Sequence, residues 1–510
     1  MNDSTAAADR FALVERPLVA PAERLFDALS DPLRRTRTAA CLIAGFVILW
    51  TLYGILANLA EDVNADVAEG LMWSRDATLR HHPPMQAWVF KAWYAVFPIT
   101  DWSSYLLVAI TVGVTLWFVW LLLGDWLDDR KRVLGLAVLT FVPLYTFHAT
   151  KLNANTMMLP FWAAASLYFL RSVRSLDRRD AALTGIAGAG AVLSKYWSLY
   201  MVAGFNIAAM MSPDRARFFR SPAPWISIGL GLVLLIPHAI GLINNPRAFD
   251  FAASTGIGGG VGVALEQSLR YLVASFAYVI VPLLALAVTR PGRAALTDVL
   301  WPATPERRVA AAAFWMPLLL PALVNVIIPY RLTALWTNPN WSLLPVVLFS
   351  SPLVEVTRKH AVRVLSAAIV FPFLAVLAAP VVSLVRHTSG ATDENARFSL
   401  VAAAIERAWQ DATSKPLLWI GGSQGIVQRS VYYTPPSARY LAIEEPSAAA
   451  AIARDGVALV CQESNGACVT RIDALGKSAN GRRKDVELAR RYFGIEGQRE
   501  RFVLVIIPPP

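Results

Sequence analysis

The sequence predicts a polytopic α-helical membrane protein that carries a small C-terminal α/β domain. Three observations predict it. The 510 residues are 56% hydrophobic and only 16% charged, with a mean hydropathy of +0.46, whereas soluble chains carry about 25% charged residues. The apolar residues gather in long runs of membrane-crossing length. Beyond about residue 389 the pattern changes to alternating helical and strand signals.

Residues 1–38 are mostly polar and end in "DPLRRTRT", a cytoplasmic N-terminal segment. The run that follows lies well inside the chain and reads as an anchor rather than a cleaved leader. About eleven spans are expected, near 40–59, 103–124, 133–149, 156–171, 181–194, 196–211, 224–243, 268–289, 309–329, 341–354 and 362–385, each covering most or all of roughly 30 Å of hydrocarbon. The fifth and sixth nearly fuse around "SKYWS". Residues 39–388 thus form the transmembrane part, with a first external loop over 60–102. Trp102, Trp126, Trp225 and Trp301 stand near segment ends, as in an interfacial belt.

Net charge is +11, but the basic residues sit in short clusters between apolar runs. These include "DPLRRTR", "DDRKR", "RSVRSLDRRD", "PDRARFFR" and "VTRKHAVR". All fall on one side by alternation, which makes that side cytoplasmic and argues against a nucleic-acid partner. An odd number of spans then puts residues 389–510 outside, in the periplasm of a bacterial inner membrane. The tail offers an amphipathic helix ("LVAAAIERAWQDA") and strand-like "PLLWIGG", "VALVC" and "RFVLVIIPPP". Gly421, Gly422 and Gly425 lack dinucleotide-fingerprint spacing. Cys41 reads as a small core residue. Cys461 and Cys468 have hairpin-like spacing, and a disulfide suits them in an oxidising compartment.

The same alternation places 60–102, "HATKLNANT", "SKYW", 244–267 and "PYRLTALWTNPNW" on one face, where convergent polar groups suggest a site. If 61–74 is helical, Asp62, Asp66 and Glu69 form an acidic stripe, beside an apolar stripe of Val63, Val67 and Leu71 that lies on the membrane surface. A solvated amphipathic helix is the plainer reading of the same pattern. His81 and His82 precede Pro83 and Pro84. Paired histidines beside carboxylates offer capping, basic or metal-binding roles.

The run "DVAEGLMWSRD…HHPPMQAWVF" resembles the first external loop of the GT-C class of membrane glycosyltransferases, more narrowly glycosyltransferase family 39. That family includes protein O-mannosyltransferases, aminoarabinose transferases of lipid A and rhizobial galacturonosyltransferases. Asp66, Ala68, Trp73, Pro83, Pro84, Met85 and Trp88 stand in matching places, whereas Val67 replaces the usual acidic second position. "LNANTMMLPFWAAASLYFLRS" is similar to a later family span, with Asn155 where relatives often have Asp. "LSKYWSLYMVAG" and "IPHAIGLINN", with Lys195 and His238, follow in the expected order over about residues 40–350.

The resemblance implies an inverting transfer from a sugar on a polyprenyl-phosphate carrier to an acceptor hydroxyl. Asp66 takes the role of general base, with Glu69 beside it. Lys195, with Arg331 or Arg75, faces the leaving phosphate, although a snorkelling lysine fits position 195 as well. Asn155, His82, Tyr196 and Trp88 are the substrate-binding candidates. No cofactor is required, and a divalent metal on His82 with His81 or Glu69 is an option that the missing acidic residue before the prolines weakens. The expected partners are the lipid-linked donor, a glycolipid acceptor such as lipopolysaccharide core or lipid A, and membrane lipids. A protein acceptor, a flippase of lipid-linked sugar and a non-catalytic assembly subunit are the alternatives.

Overall fold

The computed structural model describes residues 20–76, 82–244, 256, 260–389 and 397–510. All eleven apolar runs appear as helical segments, but not as eleven straight spans. Among the described residues five helices are long and apolar enough to cross a membrane: Arg35–Ala57, Asp101–Trp126, Ala223–Asn244, Pro305–Ile327 and Arg358–Ser389. Gly260–Ala277 and Ile280–Val288 make a sixth candidate, bent by 59°. The chain is a multi-pass membrane protein.

The other runs are shorter or broken, each with a local cause. Asp129–Leu139 is capped by Asp128, whose side chain accepts from Lys131 N. It stops ahead of Pro143, which opens a single 3₁₀ turn. Arg178–Ser194 ends because Lys195 adopts an extended backbone (φ −161°), and the chain resumes as Leu199–Met211. The run expected at 341–354 is mostly 3₁₀ helix, Ala334–Leu343, followed by the short helix Leu344–Phe349.

The N-terminal part holds one addition and one correction. The polar segment contains a helix over 20–30 whose Ala22, Phe26 and Leu29 are buried in the main core. Arg358 pairs with its Glu23 and Asp27. Cys41 is not a core residue but exposed on the helix Arg35–Ala57.

From Phe398 on, the chain forms three layers. A mixed sheet runs in the order β2-β1-β3-β7-β4, made of β1 (Trp419–Gly422), β2 (Arg439–Tyr440), β3 (Val457–Gln462), β4 (Arg482–Leu488) and β7 (Glu500–Ile507). The pair β5 (Arg491–Tyr492) and β6 (Ile495–Glu496) stands apart. β1 runs parallel to β2 and β3, and β7 is antiparallel to β3 and β4. Alternate residues of β3 and β7 face opposite ways, as the two-residue strand period requires. Ala458, Val460, Leu504 and Ile506 meet the helix Phe398–Ala412. Leu459, Cys461, Val503 and Val505 meet the helix Gly466–Ser478. Both faces are covered, so both are apolar.

The disulfide Cys461–Cys468 is formed, with Cα atoms 5.9 Å apart. It joins strand β3 to the first turn of the helix Gly466–Ser478 and does not close a hairpin.

This α/β layer sits against the first loop. Asp62 pairs with Arg490 and accepts from Ser399 N at 3.0 Å. Val63 N donates to the Tyr433 hydroxyl at 2.7 Å, which donates to Asp101 at 3.0 Å. Tyr432, Ser104 and Tyr94 share a buried hydroxyl cluster.

Candidate active site

The expected acidic stripe is broken by where the helix begins. The helix is Ala65–Arg75, because Asn64 caps it: its side chain accepts from Asp66 N at 3.1 Å. Asp62 therefore precedes the helix and serves the α/β layer. Val63, Val67 and Leu71 do not lie on the membrane surface. They are buried in a cluster with Phe90, Val108, Leu152 and Tyr432.

Gly70 lets the helix Met85–Trp93 approach closely. A Cβ there would collide with Gln86 Nε2 and Phe90. Gln86 is 1% exposed, and its amide donates to Asp66 O at 3.1 Å and Leu152 O at 3.0 Å. The backbone that carries Asp66 is thereby tied to the segment 151–156.

That segment holds the side chain as well. Asn153 Nδ2 donates to Asp66 Oδ2 at 2.8 Å, and Lys151 Nζ lies 3.8 Å from the same oxygen. The Asp66 side chain keeps 40% exposure, so it remains accessible. Glu69 lies one turn along the helix. Burial pushes its carboxyl up, the charge of Asp66 adds to the rise, and Arg429 pulls it partly back. Glu69 is therefore readier than an ordinary glutamate to hold a proton.

Two residues beyond Asn153, Asn155 accepts from Lys195 Nζ at 2.7 Å. The same Nζ lies 4.2 Å from the ring centroid of Trp336. Burial pushes the Lys195 ammonium down to about 7, and Asp66 opposes this. The α-carbons of Asn153 and Asn155 are at most about 7 Å apart. One helix end thus brings a carboxylate and an ammonium to the bundle end that meets the α/β layer.

The remaining candidates fall in different places. Tyr196 bonds His238 Nε2 at 2.8 Å and stacks on its ring, beside Lys195 in sequence. His82 packs edge-on against Trp73, with ring centroids 5.7 Å apart. His81 lies outside the described residues. Among the described residues no three His, Cys, Asp or Glu side chains converge as metal ligands. Arg331 is exposed on the segment that leads to Trp336.

Two further candidates also stand away from this network. Arg75 is nine residues along the helix from Asp66, roughly 14 Å, and donates to Ala438 O at 3.3 Å in the α/β layer. Burial and Arg439 push its guanidinium down. Trp88 is 50% exposed on the outer side of its helix. Sequence reasoning missed Lys151 and Asn153. Their signal was an N-cap asparagine directly before an apolar helix, inside the quoted "HATKLNANT".

A polar cavity of about 710 Å³, lined by Asp125, Arg171, Arg174, Asp180 and Arg217, shares no residue with this network. It lies at the far end of the helix Asp101–Trp126, about 39 Å from the end that Tyr433 bonds.

Comparison with known proteins adds the fold. The profile of the dolichyl-phosphate-mannose-protein mannosyltransferases matches residues 81–240. The structure is similar to that of ArnT from Cupriavidus metallidurans bound to undecaprenyl phosphate, with a TM-score of 0.60 and 13% identity over 91% of this chain and 97% of that one. Against the apo state of ArnT from the same organism the TM-score is 0.58, at 12% identity over 90% and 98%. No curated protein matches by sequence. The chain has the GT-C fold.

Proposed function

We propose that this GT-C-fold chain is an inverting glycosyltransferase. It would take a sugar from a polyprenyl-phosphate carrier and pass it to a hydroxyl of an envelope glycolipid, such as lipopolysaccharide core or lipid A. The observation that carries the reading is the pairing of Asp66 with Asn153 and of Lys195 with Asn155 on one helix end. The likeness to ArnT bound to undecaprenyl phosphate supports a carrier of that class.

In this reading Asp66 accepts the proton of the acceptor hydroxyl as it attacks the anomeric carbon. Lys195 faces the carrier phosphate as the glycosidic bond breaks and charge develops on its oxygen. A half-neutral lysine gains its proton fully when an anion arrives beside it. Trp336 and the Tyr196–His238 pair flank the lysine and offer rings for sugar contact. Glu69 tunes the charge beside the base. Charge at one bundle end suits chemistry there better than a translocation path, which needs charged residues deep in broken helices.

The basic clusters favour a cytoplasmic N-terminus and an α/β layer in the periplasm of an inner membrane. The Cys461–Cys468 disulfide supports an oxidising side for that layer. A protein hydroxyl as acceptor is the second reading, favoured by the profile match at 81–240.

The test is mass spectrometry of envelope glycolipids and proteins from cells with and without the gene. Loss of one sugar from a glycolipid is the expected result. Loss from a protein alone would establish the second reading, and no loss from either would overturn both.

A further inference from the structure

We propose that Asn153 is a positioning residue for Asp66, whose amide is oriented by the helix that it caps. The proposal rests on the reading of Asp66 as the base. Asn153 Oδ1 accepts from Asn155 N at 3.0 Å, Thr156 N at 3.1 Å and Thr156 Oγ1 at 3.2 Å. An amide oxygen only accepts and an amide nitrogen only donates. Three donors on one side leave the NH₂ group to the other, and there it meets Asp66 Oδ2 at 2.8 Å. The partners themselves fix which way the amide points.

Gln86 holds the backbone of Asp66 to Leu152, one residue before the cap. The carboxylate and its donor are therefore fixed in one frame. Both donors, Asn153 and Lys151, fall on Oδ2, and among the described residues no side chain donates to Oδ1. One oxygen is anchored, and the side chain keeps 40% exposure, which leaves the carboxylate accessible to a proton. The charged groups around Asp66 are Lys151, Glu69 and, more remotely, Lys195.

Two substitutions separate the cap from the contact with Asp66. Serine and aspartate both cap helices about as well as asparagine. Asn153→Ser removes the donor to Asp66, and Asn153→Asp places a carboxylate against it. The full chain is purified in detergent, its melting temperature measured, and a hydrophobic carbodiimide applied at neutral pH. This reagent labels protonated carboxyls, and the Asp66 peptide is quantified by mass spectrometry.

The expected result is a melting temperature close to wild type for both variants. Labelling of Asp66 should rise about tenfold in Asn153→Asp, because a like-charged neighbour favours the protonated carboxyl. A smaller rise is expected in Asn153→Ser, which carries the test alone if the aspartate variant does not fold. Transfer should lose kcat while KM for the donor stays near wild type. Wild-type labelling in a folded variant would overturn the proposal and leave Asn153 as a cap only. Labelling does not depend on catalysis. An active Asp66→Asn, together with shifted Asp66 labelling in the Asn153 variants, would remove the catalytic reading and leave the positioning contact standing.

Discussion

Lys195 donates to Asn155 at 2.7 Å, and Asn155 lies two residues from Asn153, which holds Asp66 at 2.8 Å. A single helix end thereby sets the spacing between a carboxylate and an ammonium that come from two other parts of the chain. Neither group needs the other to be held in place.

The ammonium is open to a pH test. Burial holds Lys195 near 7, so the cation is largely present below that pH and lost above it. Undecaprenyl phosphate binding by the wild type should weaken as pH rises past about 7, with a higher midpoint in the complex because the bound phosphate favours the charged form. Lys195→Ala should bind about 10–100-fold more weakly, from about 1.5–3 kcal/mol for a charge-assisted contact, and lose the pH dependence above 7. The same affinity and pH curve in the variant would mean that the lysine only snorkels.

Asp62 should matter for docking rather than chemistry. Its side chain is 1% exposed and faces Arg490 and Ser399. Breaking a buried pair from one side costs about 3–5 kcal/mol. Asp62→Ala should speed proteolytic release of the segment from 397 onward, and lower transfer less than a change at Asp66. Wild-type digestion would show that the Tyr432 and Tyr433 contacts suffice.

The cysteines make a countable prediction. Native protein should label with a maleimide at Cys41 alone, and denatured, reduced protein at three positions. Replacing Cys461 and Cys468 by Ala and Ser should destabilise the α/β layer by about 2 kcal/mol, given the short loop closed. Label on either residue without reductant would contradict the pairing.

The apolar runs were legible because membrane-length hydropathy is a strong, local signal. Their breaks were less so, since Lys195 and Pro143 end helices inside sequences that remain apolar on both sides. Strand β4, "RRKDVEL", escaped notice because an edge strand can be charged and exposed while its backbone pairs with β7. Asp66 and Lys195 were readable as residues, but the asparagines that hold them were not. A capping asparagine looks the same in sequence whether or not its second group touches a carboxylate. Asp62 was misplaced for a related reason: periodicity ran through Asn64, and the cap that starts the helix there overrode it.

Sugar transfer by Asp66→Asn tests the account most directly. The amide is nearly isosteric, so the helix start and the contact region should survive, while the proton acceptor is lost. Transfer from a lipid-linked donor by the purified variant should fall about 10²–10⁴-fold, with undecaprenyl phosphate binding retained. Glu69→Gln should cost less. Full transfer by Asp66→Asn, with binding intact, would contradict the central claim that this carboxylate is the base.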